Sequence, residues 1–380
     1  MATPNAHDTG PDMERVASGV GAHMQTHVRT DETAAMVNRA DTMRELDARL
    51  GQMRAYLRTD IHGITQAWQP ADYLPSFANQ HRAFGRIRAI QAQMQDLPPE
   101  LLTVLIGDTL TEEGLPDFTA ELAGLNALPP SGHLHRWFRG WAGEEQRHQK
   151  VLANLLWLSG RVDMKAYEQS VQLFLQDGVD LGIDRDPYRG FVYTSFQELA
   201  TQRSHANVAK LANKCGNPVV AEVCGQVAAD EGHHAQAYME FVRVFFELDP
   251  DGMMCAVRDM WQRLITMPAH HMREVDPSGK VLPPGATFAY FSAVAQKTGV
   301  YTVADYAQIS ARLLEAWKVA QRNAGRWEAL PVPGLGPEGN VAQQQILCRQ
   351  RVIERVATSR RKVVVPEHAL TWILKSHTKP

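Results

Sequence analysis

Glu145-Gln146-Arg147-His148 and Glu231-Gly232-His233-His234 are two copies of one pattern, a glutamate followed three residues later by a histidine. Each copy is preceded by another glutamate at the same interval: 145 − 112 = 33 residues back stands Glu112, and 231 − 198 = 33 residues back stands Glu198. On a helix, positions i and i+3 share a face about one turn apart, so each Glu-x-x-His can aim both side chains at one point. An interval of 33 suits two antiparallel helices joined by a short turn, and turn residues lie between them in both halves, at Leu128-Pro129-Pro130-Ser131-Gly132 and at Lys214-Cys215-Gly216-Asn217-Pro218. Each half therefore reads as a helical hairpin that gives one glutamate from its first helix and a Glu-x-x-His from its second.

Packed about a pseudo-twofold axis, two such hairpins make an all-α fold. It is a ferritin-like four-helix bundle whose inward face offers Glu112, Glu145, His148, Glu198, Glu231 and His234 to two metal ions. Four ionised glutamates balance two divalent cations, so the site can be buried without an uncompensated charge. Carboxylate with imidazole suits iron or manganese, and oxygen chemistry favours iron. A single Glu-x-x-His is more often a pair on a solvated helix face than a ligand set. Two copies at one interval inside helical sequence make coincidence improbable.

The chain has 380 residues, enough for a large helical domain with a sizeable core. Its 39 basic and 42 acidic residues leave a net charge of −3, which gives no support for nucleic-acid binding. Cys215, Cys224, Cys255 and Cys348 are few and widely spaced, as expected of reduced thiols. No apolar run approaches a membrane span, and the start of the chain lacks an apolar signal core, so a cytoplasmic address is expected, with the plastid stroma also compatible.

Residues 1–35 read as a loose arm, 36–350 as the helical di-iron domain, with further helices built around the bundle, and 351–380 as an extension packing on it. Helical spacing begins near Asp41 and runs through Met43, Leu46, Leu50, Met53 and Leu57; the same segment carries Arg44, Arg49, Arg54 and Arg58, a solvated face or a landing surface for an acidic protein. Trp68-Gln69-Pro70-Ala71-Asp72-Tyr73-Leu74-Pro75 reads as an extended connection. Its Trp68 is either a core plug or a bridge between the metal site and the surface. Pro98-Pro99 opens the first ligand helix and Ser159-Gly160 closes the second. A helix follows over 163–176, then a loop to Pro187, the third and fourth ligand helices, a turn at 249–252, a helix over 253–265, another over 301–323, and a proline-glycine connection over 331–337.

At these motifs, and at Trp68-Gln69-Pro70, Thr111-Glu112-Glu113, Leu158-Ser159-Gly160-Arg161-Val162-Asp163-Met164, Tyr193-Thr194-Ser195-Phe196, Met267-Pro268-Ala269-His270 and Phe291-Ser292-Ala293-Val294-Ala295-Gln296, the chain resembles the soluble acyl-acyl carrier protein desaturases of the stearoyl type. The series covers most of the chain from about residue 60 to 350. The resemblance implies a homodimeric di-iron enzyme. It would take molecular oxygen and two electrons from reduced ferredoxin to place a cis double bond, at the ninth carbon of a stearoyl or palmitoyl chain, in a substrate carried on acyl carrier protein. It also implies the same six ligands and selects Glu112 over its neighbour Glu113, which spacing alone only favours. By the same likeness Glu113 and Asp230 hydrogen-bond the ligand histidines, Asp230 and Trp68 belong to an electron route, and Thr201 offers a hydroxyl beside the oxygen-binding side. Read by itself, Thr201 is a helix-interior threonine bonding back to its own backbone. Gly232-His233 stands where the family usually has a basic pair, so the surface meeting ferredoxin differs.

Breaking an unactivated C–H bond needs an oxidant stronger than any side chain, hence a cofactor, and an apolar channel that holds the acyl chain and excludes water. Leu115, Phe118, Gly124, Leu125, Gly190 and Phe191, near Glu112 and Glu198 in the helices, are the channel candidates. Two other classes share such ligands. A di-metal oxygenase or radical-generating reductase subunit would need a redox tyrosine at the cluster or small soluble substrates, and an iron-storage bundle would be much shorter than this chain.

Overall fold

Asp186-Pro187, Asn217-Pro218 and Asp249-Pro250 each open a helix in the same way. The first side chain accepts backbone N–H groups of the first turn, at Tyr188 and Arg189, at Val220 and at Gly252, and the proline takes the first helical position, where no N–H is needed. The computed structural model describes residues 38–51, 63–125, 131–359, 363–366 and 370–374. In chain order the helices are α1 (38–50), α2 (Pro70–Tyr73), α3 (Gln80–Gln95), α4 (Pro99–Glu113), α5 (Leu115–Ala123), α6 (His133–Ser159), α7 (Met164–Asp177), α8 (Pro187–Lys214), α9 (Pro218–Leu248), α10 (Pro250–Arg263), α11 (Ala286–Thr298), α12 (Val303–Ala316) and α13 (Pro337–Thr358). Strands β1 (Ala320–Asn323) and β2 (Arg326–Ala329) pair antiparallel between the last two helices. Among the described residues no helix is long and apolar enough to cross a membrane.

Four helices carry the residues singled out by spacing: α4 holds Glu112, α6 holds Glu145 and His148, α8 holds Glu198, and α9 holds Glu231 and His234. Helix α6 passes from one apolar core, at Trp137 and Trp141, through its polar pair into a second core at Val151 and Leu152. Helix α9 makes the same passage in reverse, from Val227 to Tyr238 and Phe241. Helix α8 runs with α6, from Phe196 to Val208, and α4 reaches Glu112 from the second core through Leu105 and Leu110. The acids and histidines thus form a polar layer between two apolar cores, which is what orders the bundle.

Several elements depart from the sequence reading. The stretch 68–75 contains one helical turn, α2, because Pro70 sits at a first-turn position where it is tolerated. Residues 249–252 are not a free turn: Asp249 caps α10, and Pro250 begins it. The helix expected over 301–323 ends at Ala316, Lys318 takes φ 55°, and β1 follows. Ala324 and Gly325, at φ 46° and 79°, make the tight turn that a two-residue hairpin loop requires. Strands of four residues are too short for periodicity to reveal. Helix α13 was not expected, and it crosses position 350, where the extension was expected to begin. The arm over 1–35, Arg54 and Arg58, and the turn residues 128–130 lie outside the described residues.

Residues 370–374 return to the body of the protein. The carbonyl of Trp372 accepts the Asp163 N–H at 2.7 Å, and the Leu374 N–H donates to the Arg161 carbonyl at 2.8 Å. The Trp372 indole is fully buried, with its ring 5.6 Å from that of Tyr167 on α7. Buried Glu274 accepts the Thr371 N–H at 2.6 Å.

Candidate metal centre

Glu112, Glu145, His148 and Glu231 offer one atom each that all lie within 4.8 Å of one another, and so do Glu145, Glu198, Glu231 and His234. Glu145 and Glu231 belong to both quartets. The structure therefore brings the six side chains into two adjoining positions, each with one outer glutamate and one histidine, and with two glutamates between. All six are buried.

The histidines are oriented alike. Nδ1 of His148 faces inward, 3.3 Å from Glu145 Oε2 and 3.3 Å from Glu231 Oε1, and Nδ1 of His234 lies 2.7 Å from Glu145 Oε1. Their outer nitrogens meet acids on the opposite ligand helix, Nε2 of His148 facing Asp230 Oδ2 at 3.4 Å and Nε2 of His234 facing Glu144 Oε2 at 3.0 Å. A carboxylate there keeps the proton on Nε2 and leaves the Nδ1 lone pair for the centre.

Whether the residues suit a metal is tested by what the inner atoms lack. Nδ1 of both histidines, Oε1 of Glu145 and Oε2 of Glu231 are buried without a hydrogen bond, short contacts notwithstanding, because the directions are wrong for one. Ligand atoms packed this closely without hydrogen bonds between them fit divalent cations, and the oxygen-rich set with two imidazoles fits iron or manganese. The charges respond to crowding. Burial pushes Glu112 up to about 8 and Glu198 well above the ordinary carboxylate range. Burial acts on Glu231 too, but the adjacent His148 and His234 imidazoles overcome it and hold that carboxyl well below the ordinary range. Burial disfavours charge on both imidazoles, yet the surrounding acids raise them well above an ordinary histidine.

Around this set the structure corrects one expectation. Glu113 does not touch a ligand histidine: it accepts from Gln149 Nε2 at 2.9 Å and from the Tyr167 hydroxyl at 3.3 Å. One residue beyond Glu112 on α4, it is turned about 100° around the helix and faces α7 instead. At His234 the bracing acid is instead Glu144, the residue before Glu145. Asp230, the residue before Glu231, serves His148, so the two acid doublets brace each other's histidines crosswise, and that repetition was legible as Glu144-Glu145 beside Asp230-Glu231. Trp68 is half-buried, donates Nε1 to Asp230 Oδ2 at 2.7 Å, and stacks on His148 at 6.1 Å and 4°. Arg147, not singled out by the sequence, lies 4.9 Å over the Trp68 ring and donates to Asp230 Oδ2 at 3.1 Å. The outer glutamates have partners as well, His205 Nε2 at 2.9 Å from Glu112 Oε1 and Trp141 Nε1 donating to Glu198 Oε1 at 2.9 Å. No periodicity marks His205 or Trp141; only packing across helices brings them in.

A family model described as fatty acid desaturase matches residues 38–374. The chain belongs to the fatty acid desaturase family. It is accordingly an oxidoreductase. It is 38% identical over 325 residues to stearoyl-[acyl-carrier-protein] 9-desaturase 3, chloroplastic, of Arabidopsis thaliana, covering 83% of this chain and 77% of that one. It is 39% identical over 333 residues to the spinach (Spinacia oleracea) stearoyl-[acyl-carrier-protein] 9-desaturase, chloroplastic, covering 85% and 78%. Palmitoyl-[acyl-carrier-protein] 4-desaturase, chloroplastic, of Coriandrum sativum is 37% identical over 343 residues, covering 87% and 84%.

A small cavity adjoins the centre of this desaturase, and a larger one meets the small one at Thr111. The small one of about 40 Å³ touches Glu112, Glu145, Glu198 and Glu231 and is walled by Leu115, Phe118 and Thr201. Thr201 itself donates to the carbonyls of Gln197 and Glu198 on its own helix, at 3.2 and 3.1 Å. A larger apolar pocket of about 460 Å³ shares the Thr111 wall and lies between α4, α11, α12 and α13, bounded by Phe196, Phe288, Phe291, Tyr306, Val352 and Val356. Gly124, Leu125, Gly190 and Phe191 line neither. A Cβ on Gly190 would meet Leu125 Cδ2 at 3.0 Å, and Phe191 is packed among Tyr238, Phe241 and Phe245, so these three form a packed floor rather than a cavity wall, while Gly124 is half-exposed and its carbonyl accepts Arg185 Nε at 2.9 Å.

Proposed function

We propose that this desaturase acts on acyl chains carried by acyl carrier protein. It inserts a cis double bond at the ninth carbon of a stearoyl or palmitoyl chain, with molecular oxygen and two electrons from reduced ferredoxin. Two iron ions would be held by Glu112, Glu145, His148, Glu198, Glu231 and His234. The observation that carries this reading is the pair of quartets sharing Glu145 and Glu231 next to an apolar pocket. Bound iron supplies the oxygen-derived oxidant that no side chain can provide.

What the chain's own residues contribute is placement. Glu144 and Asp230 fix both imidazole rings, while Trp141 and His205 fix the outer carboxylates. The apolar pocket, of a size usual for small-molecule sites, holds the alkyl chain and keeps water from the reacting carbons. Leu115 and Phe118 would set the chain beside the centre, with Leu125 and Gly190 closing its far end. Trp68, stacked on His148 and hydrogen-bonded to Asp230, supports an electron route from the surface. We also propose a homodimer, in the cytoplasm or plastid stroma. The relatives named 9- and 4-desaturases stand at nearly equal identity, so the choice of the ninth carbon rests on the sequence resemblance.

A radical-generating subunit is disfavoured by Tyr238. This tyrosine lies one turn beyond His234 and is fully buried, but among the described residues its hydroxyl has no hydrogen-bond partner to take a proton on oxidation. The deciding experiment is aerobic incubation with reduced ferredoxin and a panel of acyl-carrier-protein substrates, with products read by mass spectrometry. A monounsaturated product two hydrogens lighter is expected; no such product from any chain length would refute the reading.

A further inference from the structure

From Leu74 to Gln95 the chain carries three arginines, one histidine, two phenylalanines and no acid, although acids outnumber bases over the whole sequence. This stretch forms the approach to α3 and α3 itself. Ala83, Ile90 and Met94 are buried and hold the helix on the body of the protein, which leaves His81, Arg82, Phe84 and Arg88 exposed. Among the described residues Arg82, Arg86 and Arg88 enter no ion pair, so their charges are not cancelled locally. Phe77 and Phe84 are 59% and 52% exposed, and their rings meet edge to face, 5.9 Å apart. Arg88 stands one turn beyond Phe84 on the same helix. Exposed aromatic rings among unpaired arginines have the composition of a protein-binding surface.

One chain of contacts ties this face to the centre. Arg86 Nη2 donates to the Tyr73 carbonyl at 3.3 Å, the Tyr73 ring meets Trp68 edge-on at 5.6 Å, and Trp68 stacks on His148. The exposed acids whose charge bears on Tyr73 are Asp72 and Glu222, on α2 and α9; α3 has none. The large apolar pocket, by contrast, is lined by no residue of α3. A partner seated on α3 is therefore placed for the Trp68 side of the centre and not for the pocket.

We propose that the α3 face is the docking surface for an acidic protein that carries single electrons. Arg82, Arg86 and Arg88 attract its acids, Phe77 and Phe84 make the apolar contact, and the seat brings its redox group toward Trp68. The proposal rests on the electron-route reading above. Each docking passes one electron: the carrier is oxidised, one metal ion is reduced, and no bond is made or broken. Two dockings supply the pair of electrons that the reaction consumes. A small patch suits a carrier that must leave after each transfer, because such encounters use small interfaces.

Binding of a plant-type ferredoxin to the iron-loaded protein, followed by calorimetry at low and at high salt, tests the assignment. Wild type should bind it more weakly as salt rises. A triple variant, Arg82→Glu with Arg86→Glu and Arg88→Glu, should lose roughly 100-fold in affinity at low salt and most of the salt dependence. Phe77→Ser with Phe84→Ser should lose roughly 10-fold and keep the salt dependence. Both proteins should hold about two irons per chain, bind the acyl carrier as wild type does, and accept electrons from dithionite at the wild-type rate. Arg326→Glu, on β2, should change nothing. A triple variant that binds ferredoxin like wild type would overturn the surface and leave the ferredoxin reading standing. So would a triple variant that loses the acyl carrier, or vesicles of anionic phospholipid, while ferredoxin binding is unchanged. Wild type that binds no ferredoxin at either salt would overturn the surface and the ferredoxin reading together.

Discussion

At one end of the centre, Glu198 receives a single indole N–H from Trp141; at the other, Glu112 meets His205, which is backed by Asp108 and Ser204. The inner parts of the two ends are alike: a glutamate, a histidine three residues past a shared glutamate, and an acid from the opposite helix behind the imidazole. Duplication in the sequence thus sets where ligands stand, and residues outside the duplication set how each end behaves. The same holds for the braces. Asp230 is tied to Trp68 and Arg147, while Glu144 has Arg147 near it, at 3.4 Å.

The largest effects should separate shared from unshared ligands. Glu145→Ala or Glu231→Ala should take bound iron from about two per chain to near none and abolish turnover, whereas Glu112→Ala or Glu198→Ala should leave about one. Metal analysis of the four purified variants decides it, and equal losses in all four would break the distinction. Next, Asp230→Asn and Glu144→Gln should each weaken metal binding roughly 10- to 100-fold, with Asp230→Asn the worse because it also releases Trp68. Competition against a chelator ranks them.

The two ends should also part with pH. In the metal-free protein Glu112 keeps its proton up to about 8, against an ordinary 4.5. The folded form therefore holds a proton that the unfolded chain releases, so this contribution to stability is full below the unfolded value and is lost as pH rises through about 8. Metal needs the bare carboxylate, so cobalt affinity at the Glu112 end should climb between about pH 6 and about 8.5. Glu112→Gln should flatten that climb in a spectroscopic titration.

Smaller effects test the floor and the wall of the small cavity. Replacing Gly190 by leucine should push on Leu125 and shift the preferred substrate toward shorter chains; an unaltered product profile would show that this floor does not limit chain length. Thr201→Val should retain both irons and alter stability by less than about 1 kcal/mol, because the hydroxyl bonds only to its own helix. Thermal melting and metal analysis check both statements.

Much of this was open to reading in the residues. Spacing of 33 and steps of three depend only on helix geometry, so the four ligand helices and the convergence of six side chains follow without tertiary information. The stop at Gly160 and the starts at Pro99, Pro187 and Pro218 follow from cap chemistry. The rest depends on which face meets which neighbour. Glu113 and Glu144 are both acids adjacent to a ligand, and only the rotation of α4 and α6 in the bundle tells that the second reaches a histidine. His205 is 93 positions from Glu112 and Trp141 is 57 from Glu198, distances that no local pattern spans. The pocket walls come from α11, α12 and α13, and α13 itself went unread, since little in its mixed polar surface marks it.

Trp372, seated against Tyr167, has a practical consequence. Tyr167 donates to Glu113, the residue after Glu112, so only a few contacts separate the tail from the catalytic heart. Cutting the polypeptide before Leu370, or crowding that stretch with a fused affinity handle, would loosen a peg near the candidate metal site. A purification scheme that spares this seat should yield better-loaded enzyme.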